Sequence, residues 1–291
     1  MKQVKSTVYD KDFFKRVYGA DNHSFDFSSG VSKDYYKEMV DLVKLKKSDT
    51  IVDYGCGNGN LSFLLWKKYH CKIIAFDYSK DAIDICNERL KNFKKRFPQM
   101  DISFLVANNT NLPQLTKVRA VYFCDVVEHM YDNEINLAIS NIKSWSQRKI
   151  KIVIHTDNNY YLRFVRPVIV FFMILLGKKT VSQAMSDKQE ESRVHINLTN
   201  PNILAKKLKQ LKVKHLKTLY PKVTKAKIKK QLSVFREINP IISFCYFALN
   251  LIPFLSPSFY SVFRLNGIGH KKVSMSRIKF AKKVRKPAKK R

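Results

Sequence analysis

Residues Ile51-Val-Asp-Tyr-Gly-Cys-Gly-Asn-Gly59 run an apolar strand into three alternating glycines. A second apolar run, Lys72-Ile-Ile-Ala-Phe-Asp77, ends on an acid 22 residues past Gly55. Gly55, Gly57 and Gly59 lack Cβ atoms, so the chain can turn sharply from strand to helix and bring its backbone against a ligand. The carboxylate of Asp77 stands where it can accept hydrogen bonds from both hydroxyls of a ribose. The spacing also discriminates between ligands. A dinucleotide fingerprint, G-x-G-x-x-G, requires glycine at position 60, and this chain has Asn60. The third glycine arrives one residue early, which disfavours a pyrophosphate cradle and points to an adenosyl cofactor.

The pattern around this motif is that of an α/β domain. Ser32 can cap a helix reaching roughly Lys46. Ser79 can cap a long helix that Pro98 ends, and Asn200-Pro201 opens another. Strands are expected near 101–106, 119–124 and 149–155, with a helix near 132–146 between the last two. That rhythm implies a parallel sheet with helices on both faces, and ligands in such sheets bind beyond the carboxyl ends of the strands. Gly55, Asp77, Asn108, Asp125 and His155 all fall at those ends.

Four blocks in this order resemble the class I S-adenosylmethionine-dependent methyltransferases: Ile51–Gly59, Ile73–Asp77, Val106-Ala-Asn-Asn-Thr-Asn-Leu-Pro113 and Ala120-Val-Tyr-Phe-Cys-Asp-Val-Val-Glu-His129. The resemblance covers roughly residues 35 to 215 and implies a Rossmann-like fold binding S-adenosylmethionine. It implies that Asp53 and the glycines face the methionine part, that Asp77 binds the ribose and that Asn108 sits beside the adenine. Cys56, Tyr78, Asn109 and Asp125 flank these positions and belong to the same expected cofactor set. Many members carry Asp where this chain has Asn108, and an amide oxygen can still accept from an adenine amino group.

Methyl transfer from a sulfonium is an in-line displacement, so the protein mainly holds the nucleophile in place and removes its proton. Asp125, Glu128 and His129 would share one face of a helical turn, and His129, with an ordinary pKa near 6.5, is the first choice of general base. The block Cys124–Met130, followed by Thr156-Asp-Asn-Asn and an apolar insertion, is similar to the O-methyltransferases of ubiquinone biosynthesis. That similarity makes Asp125, Glu128 and His129 candidate ligands of a divalent metal and residues 164–176 a membrane contact. His155, Thr156, Asp157 and His195 are further candidates for the acceptor side. Tyr18, Asp21 and His23 could cover the cofactor.

The formal charge of +32 is uneven. After residue 200, 24 Lys and Arg stand against the single acid Glu237. Such a field favours anionic phospholipid head groups or nucleic acid, and lysine-rich composition alone is the plainer account. Thirteen residues, Phe164–Leu176, are more apolar than a surface loop and too short to cross a bilayer, and Arg163, Arg166, Lys178 and Lys179 accompany them. The uncharged run Ile238–Phe263 is long enough to cross but is interrupted by Pro253, Pro257, Ser256, Ser258 and Asn250. Cysteines 56, 71, 86, 124 and 245 have no C-x-x-C pairing and read as buried thiols of a reducing compartment. Met1-Lys-Gln-Val-Lys leads into a charged stretch, so secretion is not expected.

The expected organisation is an N-terminal arm (1–34), a methyltransferase domain (35–237) with an apolar insertion (160–192), an apolar membrane- or substrate-associated segment (238–270) and a basic disordered tail (271–291). The expected function is O-methylation of a small-molecule or lipid-linked acceptor at the cytoplasmic, anionic face of a membrane. A nucleic-acid methyltransferase and a cofactor-binding protein without turnover are the alternatives. Against the former, the tail lacks the interleaved aromatics that stack bases.

Overall fold

The computed structural model describes residues 6–18, 34–145, 149–175, 177, 179–221 and 252–266. Seven strands form one sheet: β1 (Thr50–Tyr54), β2 (Lys72–Asp77), β3 (Ile102–Val106), β4 (Val118–Cys124), β5 (Lys149–Asp157), β6 (Lys214–Leu219) and β7 (Ser258–Asn266). Their order is β3-β2-β1-β4-β5-β7-β6. The first five pair in parallel, as expected, whereas β7 runs antiparallel to both β5 and β6. The sheet is therefore mixed, not purely parallel.

Helices cover both faces, and the strands divide their side chains accordingly. In β1, Ile51 packs with α2 (Asp34–Val40), α3 (Asn60–Tyr69) and α4 (Lys80–Arg96), while its neighbours Val52 and Tyr54 pack with α5 (Asp132–Ser144) and α8 (Pro201–Gln210). This is the two-residue alternation of a strand buried on both sides. The helix boundaries have local causes. The Ser79 hydroxyl accepts from Ala82 N–H at 3.2 Å, Lys94, Lys95 and Arg96 complement the negative end of α4, and the helix stops before Pro98. Asn200 caps α8 with Pro201 in its first turn. The helix expected to run to Lys46 is shorter. Its last turn tightens into bonds from Asp41 and Leu42 to Glu38 and Met39, and Ser32 lies outside the described residues.

Two segments depart from expectation more strongly. Residues 258–266, assigned by sequence to the apolar segment beyond the domain, are an inner strand. Phe259, Phe263 and Leu265 are fully buried, so the sheet extends past the expected boundary at 237. An inner strand packed on both faces is apolar throughout, which mimics a membrane segment in composition. The stretch 238–251 and the tail 271–291 lie outside the described residues. The insertion forms a wide π turn (Tyr161–Val165) running into α6 (Arg166–Leu175), which buries none of its side chains, followed by α7 (Val181–Val194). Pro167, with no N–H to donate, sits in the first turn of α6, where it costs least. Among the described residues no helix is long and apolar enough to cross a membrane. Cys56, Cys71 and Cys86 are buried free thiols and Cys124 is half-buried, while Cys245 lies outside the described residues.

Candidate functional site

The carboxyl ends of β1, β2, β4 and β5 open into one cavity of about 490 Å³. One half is built by the glycine turn. Gly55 and Cys56 donate to the Phe76 carbonyl at 2.8 and 3.1 Å, which ties the turn to β2. Gly55 has φ +71°, and a Cβ there would stand 2.7 Å from Val126 Cγ2. Gly59 has φ +80° and faces Cys86 Sγ and the Phe104 ring at 3.0 and 3.1 Å. Glycine is required at both positions by conformation and by space. Arg89 of α4 clamps the turn from below, donating to the Asn58 carbonyl and, at 2.8 Å, to Asn60 Oδ1. Burial lowers its pKa to about 10, so it stays charged at neutral pH.

Asp77 accepts backbone N–H groups from Gly57 at 3.0 Å and Ser79 at 2.9 Å, one on each oxygen, and a further bond from the Tyr78 backbone. Of the roughly four acceptor positions of a carboxylate, one is left for a ligand hydroxyl. Burial raises its pKa despite those bonds. Asp53 accepts from Ser62 Oγ at 2.6 Å, and burial pushes it up to about 7. Asn109 accepts from the Tyr54 hydroxyl through its side chain. Asn108 differs from expectation. Its Oδ1 already accepts from the backbone N–H and the hydroxyl of Thr110, at 2.9 and 2.7 Å. That oxygen holds its own turn and has no lone pair left for an adenine amino group.

The other half carries three imidazoles. Val127–His129 form a 3-10 turn whose side chains diverge. Asp125, at φ +56°, bonds His155 Nδ1 at 2.5 Å. Glu128 accepts from Thr156 Oγ1 at 2.8 Å, and burial together with Asp125 and Asp157 raises its pKa. His129 Nδ1 lies 3.0 Å from the Val194 carbonyl and 3.1 Å from the Tyr9 hydroxyl. A carbonyl only accepts, so Nδ1 carries the proton and Nε2 is left as the acceptor. Burial and the neighbouring His195, whose ring lies 4.8 Å away, lower His129 to about 4, so it is neutral near pH 7. His195 Nδ1 lies 3.7 Å from Asp157.

Asp125, Glu128 and His129 therefore line one cavity but do not converge as a ligand set, because each is turned to a different partner. Among the described residues the group with metal-ligand proximity is Cys124, Asp125 and His155, whose donor atoms lie within 4.8 Å of one another. The N-terminal arm does reach the cavity, through Tyr9, Phe13 and Phe14. Of the arm residues expected there, Tyr18 ends α1 (Lys11–Tyr18), and Asp21 and His23 lie outside the described residues. The Tyr9 ring stands edge-on to Tyr78 and His129, and its carbonyl accepts from Ser79 Oγ at 2.7 Å. Tyr9, Arg89 and Ser258 carry no motif and were not singled out by sequence.

Residues 51–148 match the family model described as a methyltransferase domain. That stretch carries a methyltransferase domain, and the sheet with its covering helices has the Rossmann-like class I methyltransferase fold. Over 90 residues the chain is 29% identical to the Dictyostelium discoideum histone-lysine N-methyltransferase specific for H3 lysine 79, a match covering 31% of this chain and only 4% of that protein. Its fold is similar to that of geranyl diphosphate C-methyltransferase from Streptomyces coelicolor, solved with Mg²⁺, geranyl-S-thiolodiphosphate and S-adenosyl-L-homocysteine (TM-score 0.54, 13% identity, 79% of this chain and 75% of that one). It is likewise similar to magnesium protoporphyrin IX methyltransferase from Synechocystis PCC 6803, solved with S-adenosylhomocysteine bound (TM-score 0.53, 14% identity, 87% and 93%). The residues present fit S-adenosylmethionine. The turn leaves no room for a Cβ at Gly55, Asp77 keeps an acceptor position for a ribose hydroxyl, and Asp53 is a buried carboxylate that a cationic ligand would ionise.

Proposed function

We propose that this methyltransferase transfers the methyl group of S-adenosylmethionine to a hydroxyl on a lipophilic or lipid-linked acceptor at the cytoplasmic face of a membrane. S-adenosylmethionine supplies an electrophilic methyl carbon. On the acceptor side, Asp125, Glu128 and His129 are the candidate machinery, with the unprotonated Nε2 of His129 available to orient the acceptor or take up its proton.

The observation that carries the membrane half is the surface of the insertion. Phe164, Val168, Phe171 and Leu175 recur at spacings of four, three and four, on one helical face, and are 57, 46, 60 and 67% exposed. Arg163 and Arg166 accompany this stripe, and Val181 and Met185 continue exposed apolar surface on α7. A helix of this kind suits the interface plane of a bilayer, and the surplus of Lys and Arg after residue 200 suits its anionic lipids.

The test incubates the full chain with radiolabelled S-adenosylmethionine and either a total lipid extract, 4-pentylphenol or total RNA. Label in the organic phase together with co-sedimentation on phosphatidylserine vesicles is expected. The basic surplus favours a nucleic-acid acceptor as the second reading, and label confined to RNA, with affinity falling steeply in salt, would replace the first.

A further inference from the structure

We infer that Ser258 is a catalytic residue, the group through which the acceptor hydroxyl loses its proton, with His155 and Asp125 behind it as positioning and relay residues. This rests on the proposed transfer to a hydroxyl. Asp125, the residue after β4, His155 of β5 and Ser258 of β7 form a chain of short hydrogen bonds: Asp125 Oδ1 to His155 Nδ1 at 2.5 Å, and His155 Nε2 to Ser258 Oγ at 2.9 Å. All three line the cavity. A carboxylate only accepts, so Nδ1 donates to Asp125; the relay assigns Nε2 as the acceptor and the serine O–H as its donor. The oxygen lone pairs of Ser258 are then the part of the chain offered to an incoming hydroxyl.

The turn beneath Ser258 is held by hydrogen bonds. Asn158, fully buried at the end of β5, donates through its side chain to the carbonyls of Phe254 and Ser256, both at 2.8 Å, and its backbone N–H bonds the Pro257 carbonyl at 2.9 Å. The turn that delivers Ser258 is pinned to the strand that carries His155. The partners also separate the two histidines. Nδ1 of His129 is backed by a backbone carbonyl, whereas Nδ1 of His155 is backed by a carboxylate that fixes the direction of its ring. Around His155 stand Cys124 of β4, Asp125 just after it, and Tyr260 of β7, with its ring 5.0 Å away, while Asp157 lies two residues further along its own strand.

The step balances as follows. As the acceptor oxygen forms its bond to the methyl carbon, the C–S bonding pair stays on sulfur and leaves a neutral thioether. The acceptor proton passes to Ser258 Oγ while the serine's own proton passes to His155 Nε2, and the imidazolium is neutralised by Asp125. Loss of such a proton path costs roughly 100-fold or more.

The test begins with ¹⁵N-histidine NMR of the full chain saturated with S-adenosylhomocysteine, at neutral pH, and needs no acceptor. The His155 signals are expected to be those of an imidazole protonated at Nδ1 only, with the Nε2 resonance moving in Ser258→Ala. A proton on Nε2, a doubly protonated ring, or displacement of the Nδ1 proton by one equivalent of added Zn²⁺ held with Cys124 would overturn the relay. Transfer to 4-pentylphenol is then expected to fall about 100-fold in Ser258→Ala and to stay within about fivefold in Ser258→Thr, with S-adenosylhomocysteine affinity unchanged in both. Normal transfer by Ser258→Ala would end the inference and leave the proposed function standing. Wild-type chain that binds no S-adenosylhomocysteine would instead remove the reading on which it rests.

Discussion

The two halves of the crevice are built in different ways. The half around the glycine turn comes from one short stretch of chain. Its strand, its turn and the acid of the next strand all lie between Ile51 and Asp77, and backbone amides do most of the holding. The other half is assembled from segments as distant as Tyr9, His129, His195 and Ser258, and side chains do the holding. The comparison teaches that one wall of a cavity can be set by local backbone geometry while the opposite wall depends on long-range packing of individual side chains.

The largest test of that contrast is Gly55→Val. A β-branched side chain at φ +71°, with its Cβ pressed on Val126, should cost about 2 kcal/mol or more. Calorimetry is expected to register no binding of S-adenosylhomocysteine, and retained affinity would show that the turn is not the cradle. Asp77→Ala comes next. Removing charge-assisted bonds to a ribose should weaken binding by about 10- to 100-fold, without loss of fold by circular dichroism.

His129→Ala should divide the halves cleanly, with turnover on an alkylphenol probe down roughly 100-fold and S-adenosylhomocysteine affinity changed by less than about threefold. Equal losses in both would mean that the halves are not separable. Asp53 and His129 also give opposite pH signatures in cofactor-free protein. Asp53, at about 7 when folded against an ordinary 3.8, binds its proton more tightly in the native state, so its contribution to stability declines as pH rises from about 4 to 7. His129, at about 4 against 6.5, holds its proton less tightly in the native state, so stability declines as pH falls from about 6.5 to 4. Thermal unfolding of Asp53→Asn and His129→Asn across that range should tilt in opposite directions, each by at most about 1.4 kcal/mol per pH unit. Saturating S-adenosylmethionine should flatten the Asp53 slope alone.

The smallest expected effect lies outside the crevice. Phe171→Asp should reduce sedimentation with phosphatidylserine vesicles severalfold and leave cofactor binding and Tm within experimental scatter, since the ring is 60% exposed. An unchanged partition would detach the insertion from the membrane reading.

What the sequence disclosed follows the same division. The strand–glycine–acid arrangement was legible because the backbone itself demands those residues at that spacing. The strand ends placed Asp125, Glu128 and His129 at the cavity because β4 is a continuous apolar run with an obvious stop. Which way those side chains turn was not legible, since it depends on partners such as Val194 and Thr156 that carry no signature. Arg89 reads as one more cation in a charged helix, and only packing reveals that its guanidinium lies under the glycine turn. Ser258 was hidden inside an uncharged run. An inner strand with Phe259 and Phe263 on one face and Tyr260 on the other offers no alternation of polar and apolar residues to mark it.

The placement of β7 also bears on how the molecule is made. Because the strand inserts between β5 and β6, a ribosome must extrude some 100 further residues after β5 before the sheet can close. Until then β5 ends in a row of unsatisfied amides and carbonyls, open to pairing with other chains. Closure of such distant contacts is slow, so this edge is where nascent chains would most need chaperone cover.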